Sequence, residues 1–260
     1  MNKKKIMNAM PIIITVFILI VGSIVYFTVG SGMDGKSMGK SQDNSIYGQM
    51  KIKAAISSKN ELKIFALADD SAISKYKISE GRNIPENDSV IMGFEEAMMM
   101  RDDNLFSNIS DELTFFGIKT KVQGILEMTD TPIDNFHFLS EKQYLELKGK
   151  EGKLFIKISS EGKPKLFYKY NLNDTSLKFN LSDGNMNDYN SVDIDGKTYV
   201  PIILGAKEAE MMKEEKLFSK TGDKMEGFFG TNAVVIGIIE PTDTALDMIH
   251  MIPLDEKQFG

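Results

Sequence analysis

The stretch FFGTNAVVIGIIEPTDTALDMIHM, residues 228–251, repeats the pattern of FFGIKTKVQGILEMTDTPIDNFHF, residues 115–138, 113 positions earlier. Each copy holds a run of apolar residues, a Thr-Asp-Thr turn and a second, shorter apolar run. Short apolar runs that end at turn residues predict β-strands. Self-similarity at a fixed spacing is the mark of a repeated structural unit. The sequence therefore predicts that one β-rich unit occurs twice.

Two further blocks extend this similarity towards the N-terminus. Residues 91–111 match residues 203–223 at a shift of 112, and residues 51–65 match residues 153–167 at a shift of 102. The last pair shares Ser57/Ser159, Ser58/Ser160, Lys63/Lys165 and Phe65/Phe167, and it is typical of a hairpin with a short polar turn. The growing shift indicates an insertion in the second copy. The Asn- and Asp-rich stretch NLNDTSLKFNLSDGNMNDYN, residues 171–190, is the expected place. Gene duplication is the simplest explanation.

Each unit reads as a hairpin, a strand, a short helix and two further strands. The helices are predicted over 95–103 and 207–216, where Ala, Met and Leu fall on one stripe. Short helices among many strands predict an α+β fold, with two repeated β-rich subdomains that follow an N-terminal transmembrane helix.

The N-terminal region reads as a membrane anchor. Residues 10–30 contain no charged residue, and about 20 apolar residues match the hydrocarbon core of a bilayer. Lys3, Lys4 and Lys5 precede this run, so the positive-inside rule places the N-terminus in the cytoplasm and the rest of the chain outside it. A cleaved signal peptide ending near Val29-Gly30-Ser31 is the alternative. The expected location is the cell membrane, with a single pass and a lipid-bilayer contact through residues 10–30.

The sequence GSGMDGKS, Gly30 to Ser37, fits the phosphate-binding loop pattern G-x-x-x-x-G-K-[ST]. A true phosphate loop needs a strand before it and a helix after it. Here a membrane-length run precedes it and a polar, glycine-rich stretch follows. The composition predicts a flexible linker over residues 31–48, and no nucleotide is expected at Gly30–Ser37.

Composition narrows the classes of partner. The chain of 260 residues has a net charge of −6, and its three basic residues before Asp34 leave 28 basic and 37 acidic residues beyond, a charge of −9. That balance does not fit a nucleic-acid-binding surface. The chain has no cysteine, which excludes disulfides, thiolate metal sites and a lipid-modified cysteine.

The two histidines are the strongest candidates for chemistry. His137 and His250 occupy the same position in the two copies, near several methionines. Imidazole and thioether groups suit copper or zinc, so the pair is a candidate metal site. The other interpretation is a histidine inherited with the repeat that fills a partly buried strand position. Alternation along a strand places Phe136 and Phe138 opposite His137, which is compatible with His137 on an exposed face or facing the other copy.

The acidic residues of the turns are the other ionisable candidates. These are Glu127, Asp130 and Asp134, with their equivalents Glu240, Asp243 and Asp247. They could form an acid–base pair or a calcium site, but Thr-Asp-Thr between strands is ordinary turn chemistry. H-E-x-x-H is absent from the sequence. We therefore expect no catalytic residue and no cofactor.

Duplicated Phe-Phe-Gly blocks are candidates for interaction. Phe115 and Phe116 recur as Phe228 and Phe229. They are expected either to enter a strand and pack on the core or to form an exposed aromatic ridge for a partner.

The two copies resemble the extracytoplasmic core domain of MacB/LolE-type ABC-transporter permeases. The similarity rests on EGRNIPENDSVIMGFEEA and KVQGILEMTDTPIDNFHFL in the first copy, and on VPIILGAKEA, Thr221-Gly-Asp223 and VVIGIIEPTDTALDMIHMIPL in the second. It covers residues 78–145 and 197–258. Permeases of that family have several membrane helices and one such domain, whereas this chain has one predicted helix and two copies. The resemblance implies an extracytoplasmic, non-catalytic module that binds partners or relays conformational change.

These observations define the expected organisation and function. We expect a cytoplasmic tail (1–9), a transmembrane helix (10–30), a linker (31–48) and two ectodomain repeats (49–148 and 149–260). The expected function is a non-enzymatic binding or scaffold protein, accessory to an ABC-type exporter, with a protein partner in the cell envelope. A copper- or zinc-binding ectodomain that uses His137 and His250 is the alternative. An envelope hydrolase with acidic catalytic residues is the weaker one.

Overall fold

A computed structural model describes residues 50–254, except 69–72, 84, 85, 152, 174 and 188. The fold is α+β, as predicted: strand-rich, with two sheets and few helices. Within the described ranges no helix is long and apolar enough to cross a bilayer. The predicted membrane span, the linker and the phosphate-loop-like sequence all lie outside those ranges.

The first sheet has eight strands in the order β3-β6-β4-β7-β2-β1-β8, with β5 paired to β6. Its strands are β1 (Ile52–Ile56), β2 (Leu62–Leu67), β3 (Ile78–Gly81), β4 (Ser89–Met92), β5 (Glu112–Phe115), β6 (Ile118–Leu126), β7 (Phe136–Leu139) and β8 (Lys150–Glu151). Its helices are α1 (Phe94–Asp102), the 3₁₀ helix η1 (Pro132–Asn135) and α2 (Glu141–Glu146).

The second sheet has eight strands in the order β11-β15-β13-β16-β10-β9, with β12 paired to β13 and β14 paired to β15. Its strands are β9 (Leu154–Ile158), β10 (Pro164–Tyr170), β11 (Leu181–Gly184), β12 (Val192–Ile194), β13 (Lys197–Leu204), β14 (Lys224–Phe228), β15 (Thr231–Ile239) and β16 (Ile249–Pro253). Its helices are α3 (Ala206–Glu214) and the 3₁₀ helix η2 (Ala245–Met248).

Corresponding strands of the two sheets pair in the same way. Strand β2 runs parallel to β7 with Phe65 opposite His137, and β10 runs parallel to β16 with Phe167 opposite His250. Strand β3 pairs with β6 at Gly81 and Gly124, and β11 pairs with β15 at Gly184 and Gly237. The two sheets therefore share one topology.

The observed pairing corrects the position of the insertion. Gly184 corresponds to Gly81, a shift of 103, whereas Ile203 corresponds to Ile91, a shift of 112. Most of the extra residues therefore follow Gly184, and the predicted range 171–190 begins too early. They form β12 and the start of β13, a hairpin that has no counterpart in the first sheet.

The sheets pack face to face and are covered on their outer faces by helices. Strand alternation sends Ile64 and Phe136 of the first sheet into a central apolar core, which they share with Leu166 and Ile249 of the second. The outer face of the first sheet forms a separate core beneath α1 and α2, and the outer face of the second sheet forms another beneath α3. The layers are therefore helix, sheet, sheet, helix.

An ion pair joins the first turn of α1 to the first turn of α3. The ammonium of Lys207 donates to Glu95 at 2.7 Å. These residues occupy the same position in the two copies, 112 residues apart. Opposite charges at equivalent positions allow the two halves to approach each other, where identical residues would repel.

We expect Lys207→Glu to destabilise the fold by about 1 kcal/mol, because the pair is partly exposed and the change replaces attraction with repulsion. The double variant Glu95→Lys/Lys207→Glu should recover most of this loss. Thermal unfolding of the four proteins in a double-mutant cycle checks the prediction. A double variant that is only as stable as the two single effects added together would contradict it.

Candidate functional site

A buried lysine, glutamate and histidine meet on the outer face of the first sheet. Lys63 lies on β2, Glu96 in the first turn of α1 and His137 on β7. The Lys63 ammonium donates to both carboxylate oxygens of Glu96, at 2.9 and 3.2 Å. His137 Nε2 lies 3.3 Å from Glu96 Oε1, and its Nδ1 lies 3.3 Å from the backbone oxygen of Ile64.

The second copy holds the same three residues. The Lys165 ammonium donates to Glu208 Oε1 at 2.6 Å. His250 Nε2 lies 3.4 Å from the same oxygen, and its Nδ1 lies 3.2 Å from the backbone oxygen of Leu166. A carbonyl oxygen only accepts hydrogen bonds, so Nδ1 carries the proton and Nε2 of a neutral ring is an acceptor.

The histidines are not where the sequence placed them. His137 is 2% exposed and His250 is fully buried, and each points away from the other copy, towards the helix that covers its own sheet. The expectation of an exposed histidine, or of one facing the other copy, is therefore wrong. The alternation that sends Phe136 and Phe138 into the shared core sends His137 into the outer layer.

Aromatic rings enclose each histidine. His137 stacks on Phe65, with ring centroids 4.8 Å apart, and lies 5.3 Å from Phe115. His250 stacks on Phe167 at 4.6 Å and lies 5.6 Å from Phe228. The predicted interaction residues and the predicted metal candidates therefore belong to one cluster in each copy.

The Phe-Phe-Gly blocks form two hairpin turns. Phe116 and Gly117 lie between paired Phe115 and Ile118, and both have positive φ, of 49° and 79°. Phe229 and Gly230 repeat this with φ of 48° and 87°. Such tight turns favour Asn-Gly, because a bulky residue at positive φ is strained. Strain of this kind is often kept for function.

A cavity lies between each turn and its ionic cluster. The first pocket, of about 480 Å³, is lined by Lys63, Glu96 and His137 together with Phe115, Phe116 and Leu105. The second pocket, of about 580 Å³, is lined by the equivalent Lys165, Glu208, His250, Phe228, Phe229 and Leu217. Leu105 and Leu217 are both about half exposed. Each pocket thus has an apolar rim and an ionic floor.

The charge near the floor differs between the first and the second pocket. Glu61, beside Lys63 at 3.2 Å, has Lys163 as its equivalent in the second copy. Burial raises the pKa of Glu96, but His137 and Lys63 together outweigh it and hold that pKa below the usual range. Burial raises the pKa of Glu208 to about 7 against the opposing effect of Lys165. Burial and the charge of Lys165 lower the pKa of His250 to about 3.

These pKa values predict how the second pair affects stability. A histidine with a depressed pKa loses stability as pH falls from 6.5 towards 3, and a glutamate with a raised pKa loses it as pH rises from 4.5 towards 7. Between pH 4.5 and 6.5 the folded chain holds one proton on Glu208, and the unfolded chain holds one on His250. The two effects therefore cancel in this window, and the free energy of unfolding decreases as the pH falls from 4.5 towards 3.

Chemical unfolding of the full chain and of Glu208→Gln/His250→Gln between pH 3 and 8 tests this prediction. The difference between their free energies of unfolding isolates the pair. This difference should be constant from pH 4.5 to 6.5 and should decrease at lower pH. A clear slope between pH 5 and 6 would show that the proton is not held on Glu208.

The described residues contain no group of three histidine, aspartate or glutamate side chains placed to hold a metal ion. His137 contacts Glu96 and Ile64 of its own copy, and His250 contacts Glu208 and Leu166 of its own copy. Each ring thus contacts a glutamate and a backbone oxygen of its own copy.

The acidic turn residues have structural partners. The Asp134 carboxylate accepts from the backbone and hydroxyl of Thr129, and Asp247 does the same with Thr242. Both aspartates are 1% exposed. Asp130 and Asp243 have positive φ, as in tight turns, and Glu127 and Glu240 are exposed. Asp134 and Asp247 therefore stabilise the loop before each 3₁₀ helix through these hydrogen bonds.

The sequence reasoning missed the lysine and glutamate of each cluster. Lys63/Lys165 and Glu96/Glu208 were visible as charged residues repeated within apolar stretches. A charged residue is rarely fully buried without a partner, so a repeated lysine in a buried strand was the available signal for an ion pair.

Comparison of the chain with protein-family models, with curated proteins and with solved structures finds no match.

Proposed function

We propose that this protein is a non-enzymatic binding module held at the outer face of a membrane, where it serves an ABC-type exporter as an accessory scaffold. The observation that carries the binding role is the pair of equivalent pockets. Each has a strained phenylalanine turn and an exposed leucine at its rim. Apolar rims around a recess are common features of surfaces that receive a partner.

The floors of the pockets support binding rather than catalysis. In the first pocket Glu96 accepts from Lys63 through both oxygens and contacts His137, so its ionisable groups are engaged with one another. The sequence contains no cysteine that could act as a thiolate nucleophile. The membrane anchor and the exporter partner rest on residues 10–30 and on the resemblance to permease core domains.

Because the sequence has no cysteine, single cysteines can be introduced to test the orientation of the chain in the membrane. We expect Lys220→Cys, on the exposed surface of the second copy, to react with a membrane-impermeant maleimide in intact cells. We expect Asn2→Cys to react only after the membrane is opened. Labelling of Asn2→Cys in intact cells, or protection of Lys220→Cys, would overturn the proposed orientation.

The binding surface can be altered without loss of the fold. We expect Phe116→Asn/Phe229→Asn to change stability by no more than about 1 kcal/mol, because asparagine suits positive φ and offsets the lost packing. Thermal unfolding of the full chain in detergent measures this effect. A loss of several kcal/mol would show that the phenylalanines are needed for the fold.

Co-purification from native membranes then tests the partner. The wild-type chain is expected to retain an ABC-type permease and its ATPase, and Phe116→Asn/Phe229→Asn is expected to lose them. Lys148→Asn, an exposed change outside both pockets, serves as the control. A chain that purifies alone, or a complex that the double variant leaves intact, would contradict the proposal.

A further inference from the structure

Two buried polar atoms of the second pocket lack a hydrogen-bond partner within the described part of the chain. They are Glu208 Oε2 and His250 Nε2. Both residues are fully buried and both line the pocket. A buried polar group without a partner is costly, and such groups in a cavity indicate a ligand that completes them.

The first pocket provides an internal comparison. There Lys63 donates to both oxygens of Glu96, whereas Lys165 reaches only Oε1 of Glu208. The equivalent atoms of the first pocket, Glu96 Oε2 and His137 Nε2, are not among the unpartnered ones. Of the two glutamates, Glu208 is therefore the one with a buried carboxylate oxygen that has no partner among the described residues.

The charges at the floor restrict the ligand. Lys165 already lies beside Glu208, so a cationic ligand would place a second positive charge in a buried site, which is expensive. A neutral group that donates a hydrogen bond carries no such cost. Phe228, Phe229, Met212 and Leu217 supply apolar and aromatic walls.

We propose that the second pocket receives an aromatic side chain that carries a hydroxyl group, as a tyrosine of a partner polypeptide does. The ring packs among the phenylalanines, where offset and edge-to-face contacts are favourable. The hydroxyl bonds to Glu208 Oε2 or His250 Nε2. This assignment rests on the proposed binding function and names the anchor that the partner supplies. Tyrosine is among the residues that most often anchor protein interfaces.

A hydroxyl group can also hydrogen-bond to Glu208 whether its carboxyl is ionised or protonated. With its pKa raised to about 7, the Glu208 carboxyl is close to half protonated at neutral pH. A hydroxyl donates to the carboxylate and accepts from the carboxylic acid. An indole N–H or an ammonium only donates.

Entry of the ring requires the turn beside the pocket to move. Both unpartnered atoms are covered, so the Phe228–Phe229 turn must shift for the ring to enter. Strand β14 carries a bulge between Met225 and Phe228 that contains Gly227 at φ 70°, and the first copy lacks this irregularity. Glycine at positive φ is a position where the backbone pivots at low cost.

The experiment uses p-cresol, which is the tyrosine side chain with a hydrogen atom in place of the α-carbon, and toluene, which lacks only the hydroxyl. The full chain, labelled with ¹⁵N-histidine, gives signals from two histidines alone. At equal free aqueous concentration, p-cresol should shift the His250 signals saturably and at least tenfold more tightly than toluene. The His137 signals should not shift over the same range of p-cresol concentration.

Matched double variants complete the test. Lys165→Met/Glu208→Leu should abolish the preference for p-cresol, and Lys63→Met/Glu96→Leu should keep it. Equal binding of the two compounds, a response at His137 alone, or a preference that survives Lys165→Met/Glu208→Leu would overturn the proposal. If p-cresol fails while Phe116→Asn/Phe229→Asn still releases the exporter, the proposed function stands and the tyrosine anchor does not.

Discussion

Lys63→Met is expected to destabilise the protein by about 3 kcal/mol at pH 7, because it leaves the buried carboxylate of Glu96 without its ammonium partner. Glu61 loses the same partner. His137, whose effect in lowering the pKa of Glu96 is larger than that of Lys63, remains in the variant and disfavours protonation of the carboxyl near neutrality. Loss of one member of a buried pair is among the costliest single changes.

The equivalent change in the second copy should cost less. In Lys165→Met the Glu208 carboxyl, with a pKa of about 7, takes up a proton and becomes neutral at little cost. We expect a loss of about 1 kcal/mol at pH 6. Chemical unfolding of both variants in the same detergent measures the difference.

The double variant Lys63→Met/Glu96→Leu provides the control, since replacing a whole buried pair with apolar groups is often neutral. It should recover most of the stability that Lys63→Met loses. Equal losses in Lys63→Met and Lys165→Met would contradict the difference in charge state between the two floors.

Gly205→Ala is expected to destabilise the protein by about 3 kcal/mol or more, because the added methyl group would overlap backbone atoms. Gly205 precedes α3 and lies against the backbone of Leu246 and Asp247, and Gly93 lies in the same way against Ile133 and Asp134. A β-carbon at either position would fall well inside contact distance of those carbonyl groups. The helix and the Thr-Asp-Thr loop would have to separate.

Gly230→Ala is the matched control. Its φ is 87°, but the space around it is open. Alanine there should therefore cost only the strain of a left-handed backbone, about 1 kcal/mol. Thermal unfolding of the full chain compares the two. A Gly205→Ala protein as stable as Gly230→Ala would show that helix and loop do not approach as closely as described.

The strands and helices of both copies could be predicted because their signals are local. The predicted strand 233–240 matches β15 within two residues of its ends, and the stripe of Ala and Met residues from 207 to 216 does the same for α3. The α+β class follows from these elements. The 3₁₀ helices, α2 and the strands β3, β5, β8, β11, β12 and β14 were missed, since they are short and their signals in the sequence are weak.

The candidate site could be predicted only in part, because it depends on which face of each sheet meets the other copy. The sequence identified His137, His250 and the Phe-Phe-Gly blocks, but alternation alone does not tell the central face from the helix-covered one. Packing between the sheets decides this, and it turns each histidine towards a glutamate of α1 or α3. The positive φ of Phe116 also had no sequence signal, because phenylalanine is not a residue that such turns favour.

Site-specific photo-crosslinking in living cells tests the binding surface most directly. A photoreactive phenylalanine analogue would replace Thr114 or Glu226, which are exposed and line the first and second pockets, and Lys148 as a position away from both. Thr114 and Glu226 are predicted to crosslink to a membrane permease, and Lys148 is not. Crosslinks that are absent from both pockets, or equally strong at Lys148, would contradict the proposal that these two pockets are where the protein meets its partner.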